Sequence, residues 1–202
     1  MYYHYCSINN EKRYMQSNLE QGCLHFSDVN SFNDASEFSY AISNDHSLLT
    51  NEEKRSVKFF FDFLRNDMEK SGKKVPYTMH SVFHDLEFEL GMDKKLIKSN
   101  ESLKALMFFS TEYMIEGLRS LCLTKNVKSI PMWGYYGDGM KGVCLGFDID
   151  DGSLMQVKYY KENEKLPEVC AENIVNFATS ERYDYIKRIV SCKSAGWKHE
   201  EE

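Results

Sequence analysis

Side chains able to do chemistry fall in four stretches of this 202-residue chain. Between Ile130 and Asp150 it reads I-P-M-W-G-Y-Y-G-D-G-M-K-G-V-C-L-G-F-D-I-D, which sets Trp133, Tyr135 and Tyr136 beside Gly134, Gly137, Gly139 and Gly142. An aromatic-glycine loop feeding a buried strand lets a flat ligand lie on rings while backbone N–H groups come close to it. The same residues also suit a tight hairpin or bulge with core aromatics. Upstream, residues 28–38 (D-V-N-S-F-N-D-A-S-E-F) hold Phe32 and Phe38 as anchors around Asn33, Asp34 and Glu37. Those polar groups either shape the loop through bonds to nearby backbone or face a ligand. His80 and His84 are four apart on a helical pattern with Asp85, Glu87 and Glu89 near, but the glutamate and downstream ligand of a zinc protease motif are absent. They read as a surface helix, and no metal is expected. At the end of the chain, Glu200 and Glu202 would share one face if the segment is a strand. As a like-charge run at a terminus they read instead as a solvated tail.

The elements that must hold these groups follow from periodicity and punctuation. Tyr2 to Ser7 reads as a first strand, residues 11–20 as a helix capped by Asn9 and Asn10, and Cys23 to Ser27 as a second strand close to the first. Thr50-Asn51-Glu52-Glu53 forms a capping box opening a helix that runs to about Lys70. Further helices are expected over 80–90 and 102–118, so that residues 50–120 form a helical insertion between early and late strands. Residues 120–124 read as a strand, Val143 to Tyr160 as a hairpin turning at Asp150-Asp151-Gly152, and residues 169–189 as a last helix. The expectation is a single α+β domain with a mixed or antiparallel sheet. The chain stops at Glu202 in what reads as an opening strand, as a truncated version of a longer protein would.

Composition narrows the classes. Apolar residues make up 42% and three prolines leave little room for a linker, so a packed core is expected. A formal net charge of −6 disfavours a groove for extended nucleic acid, though not a site for one nucleotide. Six scattered cysteines without a C-x-x-C pair, some inside apolar runs, fit a reducing compartment. No signal sequence and no run of about 18 apolar residues is present, so a cytoplasmic protein with no membrane partner is expected.

Four separated stretches are Y-H-Y (Tyr3 to Tyr5), H-F-S-D-V-N-S-F-N-D-A-S-E (His25 to Glu37), M-W-G-Y-Y-G-D-G-M-K-G-V (Met132 to Val143) and K-S-A-G-W-K-H-E-E-E (Lys193 to Glu202). In this order and spacing, over nearly the whole chain, they resemble the bacterial domain-of-unknown-function 2971 family. The chain departs from that pattern at Cys6, where an arginine is common, at Ala35 for a proline, and at Met140 for a histidine. The layout in turn looks like that of ADP-ribosyltransferases. That resemblance implies NAD as substrate, bound by His4, Tyr5 and Ser27, with Trp133 or Tyr136 as ring platform. It implies Glu200 or Glu202 as the catalytic carboxylate stabilising an oxocarbenium ion, and Phe32, Asn33, Asp34, Glu37 and Lys141 around the substrate. Such an enzyme would fit a bacterial toxin or phage-defence effector. Two other classes stay open: a non-catalytic module binding a small molecule or protein, and a nuclease holding Mg²⁺ on Asp34, Glu37 and the terminal glutamates.

Overall fold

The computed structural model describes residues 1–8, 20–22, 24–32, 37–72, 77–91, 95–176 and 183–202. In chain order the strands are β1 (Tyr2–Cys6), β2 (Ser27–Asp28), β3 (Ala41–Ile42), β4 (Arg119–Ser120), β5 (Val143–Phe147), β6 (Lys158–Tyr160), β7 (Glu168–Val169) and β8 (Cys192–Ser194). The helices are α1 (Asn51–Lys70), α2 (Tyr77–Gly91), α3 (Glu101–Glu116), α4 (Ile130–Tyr135), α5 (Ala171–Val175) and α6 (Asp184–Val190). The fold is α+β, with α1 to α3 inserted between early and late strands as the periodicity predicts. Two compact units form: Met1–Phe38 with Gly117–Lys165 and Ser191–Glu202, hereafter the strand unit, and Ser39–Glu116 with Leu166–Val190, the helical unit. Among the described residues no helix is long and apolar enough to cross a membrane.

The helical unit is built on apolar periodicity. Thr50 caps α1 reciprocally: its hydroxyl accepts from Glu53 N at 3.2 Å, and the Glu53 carboxylate accepts from Thr50 N at 2.7 Å. Val57, Phe60, Phe61, Leu64 and Met68, three or four apart, are its buried stripe. Phe61 meets Phe83 of α2 edge-on, with centroids 4.9 Å apart. α3 adds Leu103, Leu106 and Met107, all fully buried. Asn100 caps α3, its side-chain oxygen accepting from Ser102 N and Leu103 N. His80 and His84 lie exposed on α2, as the surface-helix reading has it.

In the strand unit β1 pairs antiparallel with β5 over five residues, from Tyr2 opposite Phe147 to Cys6 opposite Val143. On its other edge Tyr3 exchanges both backbone bonds with Thr124, at 2.8 and 2.9 Å. β2 pairs antiparallel with β4, and β6 pairs parallel with β8. Gly142 decides how β1 meets β5, because a Cβ there would run into the Cys6 carbonyl oxygen.

Several local expectations give way to pairing at long range. The Val143–Tyr160 hairpin does not form: β5 takes β1 as partner, β6 takes β8, and Asp151–Ser153 is a 3-10 turn between them. Among the described residues of the predicted second strand, Leu24, His25 and Phe26 are not extended in a sheet, and the strand is Ser27–Asp28, which pairs with Ser120 and Arg119. The 120–124 strand reduces to β4 plus the bridge at Thr124. Glu168 and Val169 are extended, not helical, because β7 pairs in parallel with β3. Of the predicted last helix, α5 therefore starts at Ala171 and α6 ends at Val190, while residues 177–182 lie outside the described residues. The predicted 11–20 helix lies outside the described residues except for Glu20, as do Cys23, Asn33, Asp34 and Ala35.

Candidate functional site

The strand unit is organised around a cation. Lys193 of β8 is buried, as is its neighbour Cys192, and its side chain is 4% exposed. Ser194 then caps a 3-10 turn over Ala195–Glu200, its hydroxyl accepting from Gly196 N. Glu201 follows in the left-handed region at φ 51°, which reverses the chain so that Glu202 returns to the same lysine. Lys193 Nζ thus meets three carboxylates: Glu37 at 2.9 Å, Glu202 at 3.3 Å, and Glu200 in close contact. Glu200 is fully buried, and Tyr136 donates its hydroxyl to it at 2.6 Å.

The segment is tied down at each step. Ser129 donates to the His199 carbonyl, Asn126 donates to the Glu201 carboxylate, and Glu202 N donates to the Tyr159 hydroxyl at 2.9 Å. Neither expectation for the terminus holds. It is not an extended strand, because residues 195–200 coil and Glu201 turns left-handed. Nor is it a solvated tail, because a buried ammonium needs buried counter-charge. Glu200 and Glu202 still converge, but on Lys193 and by a turn rather than by alternation.

Above this cluster opens a cavity of about 260 Å³. β1 contributes Tyr3, His4 and Tyr5; Ser27 and Phe32 come from the β2 region; Tyr136, Lys193 and Glu202 lie on the side of the cluster. Ser31, Ser120, Leu121, Cys122 and Met132 complete the wall. Phe32 is held edge-on against Phe38, with centroids 5.3 Å apart. His4 Nδ1 stands 3.0 Å from the Cys122 carbonyl oxygen. A carbonyl only accepts, so Nδ1 carries the proton and Nε2 is an acceptor. Burial holds the His4 pKa below its ordinary value, outweighing that hydrogen bond, so the ring is neutral at neutral pH.

The cluster sets the other protonation states. Burial pushes the Glu202 carboxyl up to about 7; the Glu200 charge adds to the rise and Lys193 opposes it. Lys193 keeps its proton more tightly than an ordinary lysine: burial works against the charge, and the carboxylates, Glu202 first, outweigh it. Burial raises the Cys122 thiol too, with Glu202 beside it, so this thiol is no ready nucleophile.

Not every expected residue reaches the cavity. His4, Tyr5, Ser27, Phe32, Tyr136 and Glu202 line it together. Trp133 is not part of the cavity wall: α4 replaces the expected loop, and the indole donates to the Val127 carbonyl at 3.0 Å while standing edge-on to Tyr5. Ser129 as cap and Pro131 in the first turn are the helix-start signals behind α4, which outweigh Gly134. Glu37 turns inward to Lys193 instead of facing a ligand. Lys141 is exposed in the turn before β5, apart from the wall, and Asn33 and Asp34 lie outside the described residues. Of the carboxylates that the nuclease reading assigned to Mg²⁺, Glu37, Glu200 and Glu202 carry an ammonium as counter-ion, and Asp34 lies outside the described residues. Among the described residues no group of three side chains is arranged for a metal.

The chain matches no family model, no curated protein and no solved structure. The site is therefore read from its own geometry. Sequence reasoning missed Lys193 as its centre. The signal available was Lys193 standing seven and nine residues before Glu200 and Glu202, within a short strand-like run.

Proposed function

We propose that the strand unit is an NAD-using enzyme of the ADP-ribosyltransferase type, with the nicotinamide–ribose end of NAD in the cavity and Glu202 as the carboxylate beside the reacting carbon. One observation carries this reading: four remote segments bring Tyr5, His4, Ser27, Tyr136 and Glu202 onto one cavity. The volume, a little under the ~300–1,000 Å³ usual for small-molecule sites, suits one ring and its sugar rather than a whole dinucleotide. In the reaction the C–N glycosidic bond breaks with its electron pair going to the nicotinamide nitrogen. Positive charge then develops on the ribose, where ionised Glu202 stabilises it. The acceptor, or water, bonds to that carbon and loses a proton, which Glu202 can take with its pKa about 7.

A second reading, a module that binds a flat cation without turnover, is favoured by the commitment of Lys193. All three of its N–H donors face carboxylates, so it is not spare to hold a diphosphate. Calorimetry with NAD, together with chromatographic detection of released nicotinamide, tests both readings. The enzyme reading expects saturable binding and release that Glu202→Gln reduces by about 100-fold or more, the scale of a lost electrostatic stabiliser. Binding without release supports the module. No binding of NAD overturns the enzyme reading.

A further inference from the structure

The hydrogen-bond donors around the cavity are largely spent inside the protein. Tyr136 gives its proton to Glu200, Tyr5 to the Asn126 carbonyl, Ser31 to the Asp28 carbonyl, and His4 Nδ1 to the Cys122 carbonyl. Lys193 faces its three carboxylates, and the Cys122 thiol, raised by burial and by the charge of Glu202, keeps its proton. The hydroxyls of Tyr3, Ser27 and Ser120 can turn either way.

What remains is acceptor capacity. His4 offers Nε2, and the Glu202 carboxylate, with about four lone-pair sites, accepts from Lys193 through one oxygen. Beneath the cavity three carboxylates surround one ammonium, an excess of negative charge, and its wall carries four aromatic residues, Tyr3, Tyr5, Phe32 and Tyr136, of the kind that attracts cations. An anion entering here would meet like charge, with only the neutral hydroxyls of Tyr3, Ser27 and Ser120 left to donate to it. A flat cation with N–H groups on its edge would find both acceptors.

We propose that this cavity selects a flat ring bearing delocalised positive charge and edge N–H donors, and rejects carboxylates and phosphates. The proposal rests on the reading of the cavity as the ligand site, though not on ADP-ribosyl chemistry.

Three ligands of one shape test it on the unaltered protein: benzamidinium, benzamide and benzoate, measured by calorimetry at neutral pH. Benzamidinium is expected to bind about 10-fold or more tighter than benzamide, the scale of one charge-assisted hydrogen bond, and benzoate weakest of the three. In Glu202→Gln the ratio of benzamidinium to benzamide should fall to near one. Equal or tighter binding of benzoate, absence of selectivity, or no binding by any of the three overturns the proposal. Selectivity for benzamidinium in a protein that ignores NAD would uphold the proposal while sinking the enzyme reading. NAD binding without that selectivity would do the reverse.

Discussion

The two units of this chain solve the problem of a centre in opposite ways. In the helical unit the middle is Phe60, Phe61, Leu103, Leu106 and Met107, held by the non-directional attraction of apolar surface. In the strand unit it is Lys193 among Glu37, Glu200 and Glu202, where each contact is directional and each charge must be answered. An apolar centre tolerates any shape of about the right volume. A charged one is costly to bury, and a chain that keeps it gains groups with altered proton affinity beside a cavity. The difference separates a unit centred on apolar packing from one centred on buried charge beside a cavity.

The sharpest way to break this contrast is to cut both centres. Lys193→Met should cost about 3–5 kcal/mol, since removing one partner leaves buried charge uncompensated, and Phe61→Ala about 3–5 kcal/mol through lost burial and a cavity. Denaturant titrations at several pH values distinguish them. The Lys193→Met penalty should shrink toward acid, as the orphaned carboxylates take up protons, while the Phe61→Ala penalty stays flat. Equal pH profiles would mean that the charged centre is not what holds the strand unit.

A smaller effect concerns Glu202. Its carboxyl titrates at about 7 in the fold against 4.5 ordinarily, so the folded state binds the proton more tightly. Stability should therefore fall as pH rises through this window, by about 1 kcal/mol between roughly pH 6 and 8. Thermal melting across that range checks it, and Glu202→Gln should remove this component of the slope. In the helical unit Thr50→Ala should cost about 1 kcal/mol through the lost cap, without pH dependence over the same range. Smallest of all, removing the exposed Arg65–Glu69 pair, with both side chains more than half exposed, should change stability by no more than about 0.5 kcal/mol.

The same contrast explains what could be read beforehand. The helical unit was legible because its signals are local: the Thr50–Glu53 box, the stripe from Val57 to Met68, and the apolar positions of α3. In the strand unit the first strand and the β5 segment were legible, but their pairing was not. Tyr5 meets Cys144 across most of the chain, and no local turn signal encodes that. The expected hairpin rested on Asp150-Asp151-Gly152, a signal that a more distant partner outweighed. The cavity-lining residues His4, Tyr5, Ser27, Phe32, Tyr136 and Glu202 were each picked out by type or resemblance. Lys193 opens one of the matching stretches but was given no role, because a lysine beside a cysteine in a three-residue strand looks like any surface position until three carboxylates close on it.

Gly142 also acts as a lever. It has no place in the cavity wall, yet its missing side chain sets how close the end of β1 comes to the start of β5. His4 lies only two residues back along the same strand from Cys6. A methyl group at 142 would thus be felt as displacement at the imidazole, with every ligand-facing side chain chemically unchanged. Gly142→Ala should weaken ligand binding while leaving helical content by circular dichroism as it was, a form of control exercised through spacing alone.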